Sequence, residues 1–501
     1  MIKILNLKLS PPSLKDNVGD ADRLLAGLKK ELKTDDVKID LKMLKALPNI
    51  LRRCNYKIKA VLSAGRDGFG LVKTTEADKK RVFAGIAVDL GTTMIALALI
   101  NLETKEVMQK VSFINPQVTI AADVLARIHY ADNEEGRKKL NRLVINGINN
   151  NIKKLSASAS ILPKDIYCLA IAGNTAMTHF FLSLPTNYLI REPYIPAVNT
   201  PPIFKAEEIG LELNKFANVF VFPNIGSYFG GDIIAGILFA GMHEKNEISI
   251  FTDVGTNAEV VLGNKDWLIG CAGAAGPALE GGAAKIGMQA GAGVIDKVVI
   301  NKNSGFKIST IDNLPPIGIC GSGLIDLAAQ LFLYGFIDKR GKFADSVCAD
   351  RLIIKDEIKH LIIVKKGDCG ANKNIMISGI DIDNLIRSKA AMFTILETIT
   401  KTVGIDFASL SDFFVAGTFG YFINPESAIS IGMFPNISIE KYKAIGNSSL
   451  KGAILFLTDP KLIKTVDKIR DMITYLELNV NQEFMSRFSG AKFLPHTDAY
   501  L

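Results

Sequence analysis

The stretch that most limits the folds open to this 501-residue chain is one that occurs twice. Residues 86–97 read IAVDLGTTMIAL and residues 250–261 read IFTDVGTNAEVV. Each is an apolar run, an aspartate, one apolar residue, a glycine and a threonine, then threonine or asparagine and a second apolar run. Short apolar runs on either side of a glycine turn read as buried strands, and neither copy passes into a helix, so each is a strand hairpin. At average residue usage D-x-G-T arises by chance about 0.1 times in a chain of this size, so the pair marks a duplication. The order predicts two similarly folded lobes facing each other across a cleft. An all-parallel nucleotide-binding sheet fits less well, because there the glycine turn opens a helix.

The chemistry of such a turn is specific. A tight turn containing glycine leaves backbone N–H groups unpaired and lets a phosphate come close. The hydroxyls of Thr92 and Thr93, and Thr256 with Asn257 in the second copy, add donors beside Gly91 and Gly255. Asp89 and Asp253, at the strand ends, suit Mg2+ held through water, since magnesium keeps much of its hydration shell. Two such turns from opposite lobes form a clamp for the phosphates of ATP, and the pair reads as the catalytic centre of an ATP-hydrolysing enzyme.

A third segment suits the adenosine. FFVAGTFGYFINPESAISIG (413–432) is an apolar strand, a glycine turn and a helix whose start is marked by Asn424, Pro425 and Glu426. Gly417, Phe419 and Gly420 form the turn, where the glycines allow a base or ribose to lie against the backbone. Further glycine clusters, NIGSYFGGDIIAGI (224–237), CAGAAGPALEGG (271–282) and IGICGSGLIDLAAQ (317–330), also precede expected helices. Asp232 in the first of them and Glu259 beyond the second turn are candidates for orienting the attacking water or a metal. The competing reading of both is a helix cap or a sheet-end ion pair.

Composition narrows the classes. No apolar run reaches the roughly 18–20 residues that span a bilayer, and the N-terminus has no signal-peptide pattern, so a soluble, cytoplasmic protein without membrane contact is expected. The six cysteines (54, 168, 271, 320, 348, 369) are never closer than 21 residues, whereas iron–sulfur and zinc ligands cluster within a few residues. No iron–sulfur cluster is therefore expected in this chain. Residues 1–83 hold 19 Lys/Arg against 10 Asp/Glu, a net +9, and the rest of the chain is close to neutral. With no aromatic interleaving this argues against nucleic acid and for a solvated face or a docking surface for an acidic partner. Period and turn signals make this segment a small α/β unit, with strands in KILNLKL, YKIKAVLSA and FGLVKT and helices in DADRLLAGLKKEL and LKMLKALPNILRR.

With these motifs in this order the chain resembles the superfamily of acetate and sugar kinases, heat-shock chaperones and actin. The expected fold class is then α/β: a duplicated RNase H-like (actin/acetate-kinase-like) two-lobed ATPase. A small N-terminal α/β domain at 1–83 would precede lobes at 84–245 and 246–501. A narrower resemblance rests on NPQVTIAADVLARIHYA (115–131), AGNTAMTHFFLSLP (172–185), REPYIPA (191–197), GSYFGGDI (226–233), DVGTNAEVVL (253–262), AGPALEGG (275–282), GICGSGLID (318–326), AGTFGYFINPESAISIGMFP (416–435) and YLELNVNQEF (475–484). These are similar to the reductive activators of corrinoid proteins, and PPSLKDNVGDADRLL (11–25) is similar to the small domain before their ATPase. The resemblance implies ATP- and Mg2+-dependent reduction of an inactivated Co(II) corrinoid protein to Co(I), in a methyltransferase system of anaerobic metabolism. It also implies a homodimer. By motif, Asp89, Gly91, Thr92 and Thr93 match the first phosphate turn, Asp253, Gly255, Thr256 and Asn257 the second, and Gly417, Phe419 and Gly420 the adenosine segment.

One departure bears on the electron. Relatives usually carry a cysteine-rich ferredoxin-type domain at the N-terminus, and this sequence starts where that domain would end, so a separate low-potential donor such as a ferredoxin is expected. Three other readings stand beside this one. An activator with a [4Fe–4S] cluster bridging a dimer would draw on Cys271 and Cys320. A small-molecule kinase would use Asp232 as base. An ATP-dependent assembly protein would bind the corrinoid partner without redox work.

Overall fold

The computed structural model describes residues 1–66, 68–77, 81–255, 257–273, 284–301, 305–370, 373–417, 423–478 and 482–498. Two compact units emerge, one of residues 1–239 with 449–471 and one of residues 240–448 with 472–501.

The first unit begins with a four-stranded sheet ordered β1-β3-β4-β2, from β1 (Ile2–Lys8), β2 (Val37–Lys38), β3 (Lys57–Gly65) and β4 (Gly68–Glu76). Two helices, α1 (Asp20–Leu32) and α2 (Leu41–Arg53), lie where the 3.6-residue period places them. Acids open α1 and lysines close it, matching the helix dipole, and Asp40 caps α2 by accepting the Met43 N–H. Leu24, Leu28, Leu47 and Leu51 on the helices pack with Ile58, Ala60 and Leu62 on β3 to make this small core. Side chains tie the module to the rest of its unit: Lys59 pairs with Glu103 at 2.7 Å and Arg81 with Asp165 at 3.0 Å.

The body of the first unit is a six-stranded sheet ordered β7-β6-β5-β8-β10-β9. Its strands β5 (Ala84–Leu90), β6 (Met94–Asn101) and β7 (Val107–Ile114) form an antiparallel meander. Strands β8 (Ile166–Gly173) and β10 (Asn218–Val221) then extend it in parallel from β5, and β9 (Phe204–Lys205) closes the far edge. Strand β8 is buried along its whole length, which explains its unbroken apolar reading IYCLAIAG. The connections run through α3 (Val124–Tyr130), α4 (Glu134–Ser158) and α5 (Thr175–Leu182), and α6 (Gly231–Ala240) follows β10.

The second unit repeats this order. Strands β11 (Ser249–Val254), β12 (Ala258–Gly263) and β13 (Leu268–Gly273) form a meander. Later strands β20 (Asp412–Ala416) and β21 (Tyr442–Gly446) add in parallel on the β11 side, and β22 (Ile473–Tyr475) pairs with β13. The six-stranded order is β21-β20-β11-β12-β13-β22. Leaving out the edge additions β9 and β22, both sheets read third-second-first-fourth-fifth from the meander outward. The duplication seen in two hairpins therefore extends to five strands per unit. The long insertion between β13 and β20 holds strands β14 (Val294–Asn301), β15 (Gly305–Thr310) and β16 (Gly318–Ile319) in a sheet ordered β15-β14-β16. It also holds β17 (Leu352–Lys355), β18 (Ile358–Val364) and β19 (Ile375–Ser378) in a sheet ordered β17-β18-β19, with helices α7 (Gly321–Leu333), α8 (Asp345–Cys348) and α9 (Gly379–Thr402).

Candidate active site and family

In the first unit Asp89 is the penultimate residue of β5, held between Ala96 of β6 and Ala172 of β8 in register. The turn that follows is fixed from two sides. Asn115 donates its side-chain N–H to the Gly91 carbonyl at 2.9 Å, and its backbone N–H goes to the Thr93 carbonyl at 2.8 Å. Asn174, which caps α5 by accepting the Met177 N–H, donates to the Thr92 hydroxyl oxygen at 3.1 Å. The Thr92 hydroxyl keeps its own proton for an acceptor such as a phosphate oxygen.

Asp232 joins this group. It is the second residue of α6, after Gly231, and its carboxyl lies deep among protein atoms although part of the residue reaches the surface. Burial first, and the neighbouring Asp89 carboxylate second, push its pKa up to about 7. A third polar group completes the set: the Ser449 hydroxyl donates to Asp89 Oδ1 at 2.8 Å. Asp89, Gly91, Thr92, Thr93 and Asp232 are thus brought together at one end of one sheet. Two carboxylates, one of them held near its protonated form by burial and then by the other's charge, make a donor set that a hydrated divalent cation would relieve of its repulsion.

The second unit repeats the frame with different side chains. Asp253 lies opposite Glu259 on β12 and beside Ala416 on β20, so the two acids share one face of the sheet. The matching position in the first unit, opposite Asp89, is Ala96, so the acid pair across the hairpin belongs to the second unit alone. The turn closes through the Gly255 N–H donated to the Asn257 carbonyl at 2.9 Å. Gly417 follows β20 with φ +85°, and a Cβ there would lie 2.8 Å from Asp253 Oδ1 and 2.9 Å from the Val254 carbonyl oxygen. Gly173, the last residue of β8, stands in a similar relation to the first unit, 2.8 Å from the Leu90 carbonyl oxygen by the same measure. The strand-ending pairs Ala172-Gly173 and Ala416-Gly417 therefore correspond. The helix after the second of them spans Pro425–Ser430, with Asn424 accepting the Glu426 N–H. Thr256, Phe419, Gly420 and the segment AGPALEGG lie outside the described residues.

Sequence reasoning passed over Asn115, Asn174 and Ser449. The first two sit inside stretches singled out only as signatures, and the signal that would have found Asn174 is its place one residue after a strand-ending glycine. Nothing in the sequence marks Ser449. Of the cysteines, Cys271 is buried on β13 and burial pushes its thiol up; Cys320 precedes α7 and is also buried. Among the described residues no group of three or more histidine, cysteine, aspartate or glutamate side chains is placed to hold a metal ion. No helix among them is long and apolar enough to cross a membrane.

Comparison with known proteins places this geometry in a family. Residues 1–80 match the RACo linker region, residues 84–245 the RACo middle region, and residues 247–501 the C-terminal domain of RACo, the ASKHA domain. A solved structure of a reductive activator for a corrinoid, iron–sulfur protein matches all of this chain and 80% of its own, with TM-score 0.88 and 38% identity. The corrinoid activation enzyme RamQ of Eubacterium limosum is 29% identical over 457 residues, 90% of this chain and 76% of the relative. A [Co(II) methylated amine-specific corrinoid protein] reductase of Methanosarcina barkeri is 25% identical over 424 residues, 78% of this chain and 73% of the relative. The chain belongs to the RACo family of corrinoid reductive activators, with a C-terminal ASKHA domain.

Proposed function

We propose that this protein uses ATP and Mg2+ to drive the one-electron reduction of a Co(II) corrinoid protein to Co(I), with the electron delivered by a separate low-potential donor protein. The observation that carries the reading is the similarity over the whole chain to a reductive activator of a corrinoid, iron–sulfur protein. The duplicated Asp-x-Gly turns supply the chemistry that reading needs.

Each turn serves a phosphate group through backbone N–H donors and hydroxyls: Gly91, Thr92 and Thr93 in one unit, Gly255, Thr256 and Asn257 in the other. Asp89 and Asp253 are the residues that would hold Mg2+, which would neutralise phosphate charge. Asp232 and Glu259 each stand beside one of those aspartates and orient the attacking water. Gly417, Phe419 and Gly420 take the adenosine. The electron balance is simple: the donor loses one electron and cobalt gains it, while ATP and water give ADP and phosphate. Because the Co(II)/Co(I) couple is very low in potential, transfer from ordinary donors is uphill, and a change of axial ligation shifts a metal's potential. Nucleotide turnover is the source of that change.

The test mixes the protein with a Co(II) corrinoid protein and a reduced ferredoxin, omitting MgATP in one arm. Co(I) absorbance that appears only with MgATP supports the proposal. ATP hydrolysis stimulated by the corrinoid protein without reduction identifies an assembly factor instead. Phosphoryl transfer to a small acceptor without any corrinoid protein identifies a kinase.

A further inference from the structure

The chain leaves the first unit after Phe239 and returns to it at Ser449, at the start of the helix Ser448–Thr458. That returning helix is fastened inside the first unit at three levels. Near its far end, Phe456 lies against Phe220 at 4.2 Å and Phe222 at 5.1 Å between ring centres. In its middle, Gly452 runs so close to α6 that a Cβ would fall 1.9 Å from the Ala235 carbonyl oxygen. At its first turn, the Ser449 hydroxyl donates to Asp89 Oδ1 at 2.8 Å. Ser449 is only 4% exposed, so water has little access to replace that donor.

The partner helix α6 carries Asp232 at its start and ends where the chain leaves the unit. Three elements distant in sequence, the end of β5, the start of α6 and the start of the returning helix, therefore converge on one pair of acids. The apolar contacts would hold the helix in place without Ser449. What they do not supply is a directional donor to one oxygen of Asp89, which fixes how that carboxylate presents itself to a cation.

We infer that Ser449 is a positioning residue of the nucleotide–metal site: its hydroxyl sets the orientation of Asp89, and through it the affinity for Mg2+ with nucleotide. The inference rests on the proposed ATP and Mg2+ chemistry of this site. It adds a residue from the far end of the chain to a site otherwise built from residues 89–232, and ties the return of the chain to the occupancy of that site.

The test is calorimetric and needs no corrinoid partner. ATP is titrated into the full-length protein at a series of Mg2+ concentrations, for wild type, Ser449→Ala, Ser449→Cys and Ser449→Thr. A charge-assisted hydrogen bond is among the stronger ones, so its loss should raise the half-saturating Mg2+ concentration about ten-fold in Ser449→Ala. ATP binding without Mg2+ should be unchanged. Ser449→Cys keeps the size but donates weakly and should fall near Ser449→Ala, which keeps the test open should the alanine variant fold poorly. Ser449→Thr keeps the hydroxyl and should behave as wild type. Unchanged Mg2+ dependence in both Ser449→Ala and Ser449→Cys overturns the positioning role while leaving the ATP reading intact. Equal losses with and without Mg2+ mean a general structural role, and also overturn it. Wild-type protein that binds no ATP at any Mg2+ concentration overturns the parent reading, and this inference with it.

Discussion

Replacing Asp232 with asparagine offers a quantitative test of the acid pair in the first unit. Burial and then the Asp89 carboxylate hold the folded-state pKa of Asp232 near 7, against about 3.9 in an unfolded chain. The folded protein therefore keeps a proton that the unfolded chain has released throughout the window from about pH 4 to pH 7. Over that window the unfolded state binds fewer protons, so wild-type stability falls as pH rises. The slope is about 1.4 kcal/mol per pH unit, and the total over some three units is of order 4 kcal/mol. Above pH 7 both states are ionised and the loss levels off. Asparagine keeps the shape and the acceptor that receives the Ile233 N–H at 3.0 Å, but cannot ionise. The stability gap, Asp232→Asn minus wild type, should thus grow by about 2.3 kcal/mol between pH 5 and pH 7, gain a few tenths more by pH 8, and then level off. Urea unfolding in EDTA without nucleotide, at pH 5, 6, 7 and 8, measures it. A gap that is the same at pH 5 and pH 8 would refute the reasoning, because Asp232 would then be ionised in the folded protein across the whole range. The variant should be more stable near neutral pH and less active, as when a strained site is relaxed.

Three further outcomes follow from particular contacts. Gly417→Ala puts a Cβ against Asp253 Oδ1 and the Val254 carbonyl at a residue with φ +85°, so thermal unfolding should show a loss of about 1–3 kcal/mol and calorimetry weakened nucleotide binding; unchanged binding would remove Gly417 from the site. Lys389, buried on α9 and donating to the Gly432 and Pro495 carbonyls, is held down to about 7 by burial. An unfolded lysine titrates near 10.4, so wild-type stability rises from pH 7 toward pH 10, and any advantage of Lys389→Met must shrink over that range; a constant gap would mean a charged Lys389 in the folded state. Cys369 is half-buried, while Cys168 is fully buried with its thiol pushed up to about 12 and Cys271 is buried on β13. A native-state thiol reagent should therefore modify Cys369 first and Cys168 and Cys271 only on unfolding. Rapid labelling of Cys271 would revive a cluster-ligand role for it.

The fold was legible where local signals repeat. Two copies of Asp-x-Gly-Thr inside apolar runs were enough to predict paired hairpins, and the helix starts at Asp20 and Pro425 were marked by acids, a cap and proline. The strand order was not legible: β8 and β20 insert beside β5 and β11 over long separations, and pairing at such range leaves no mark in a single sequence. The site divides the same way. Asp89 and Asp253 stand out because each ends an apolar run one residue before a glycine turn, a pattern that repeats. Asn174 and Asn115 do not stand out within their signature stretches, since an N-cap asparagine looks the same whether or not its amide also reaches a neighbouring turn. Ser449 is a serine in a helix start, and only the return of the chain to the first unit brings it to Asp89.

The most direct test of the central claim follows cobalt itself. A Co(II) corrinoid protein and excess reduced low-potential donor are mixed with wild-type protein or Asp89→Asn, and Co(I) absorbance is recorded as ATP is raised. The account predicts no Co(I) without ATP, a rate that saturates with ATP in wild type, and a rate at least about ten-fold lower in Asp89→Asn, as expected when a charge-bearing metal-site ligand is lost. Co(I) that forms equally fast without ATP, or at the same rate in Asp89→Asn, would contradict it.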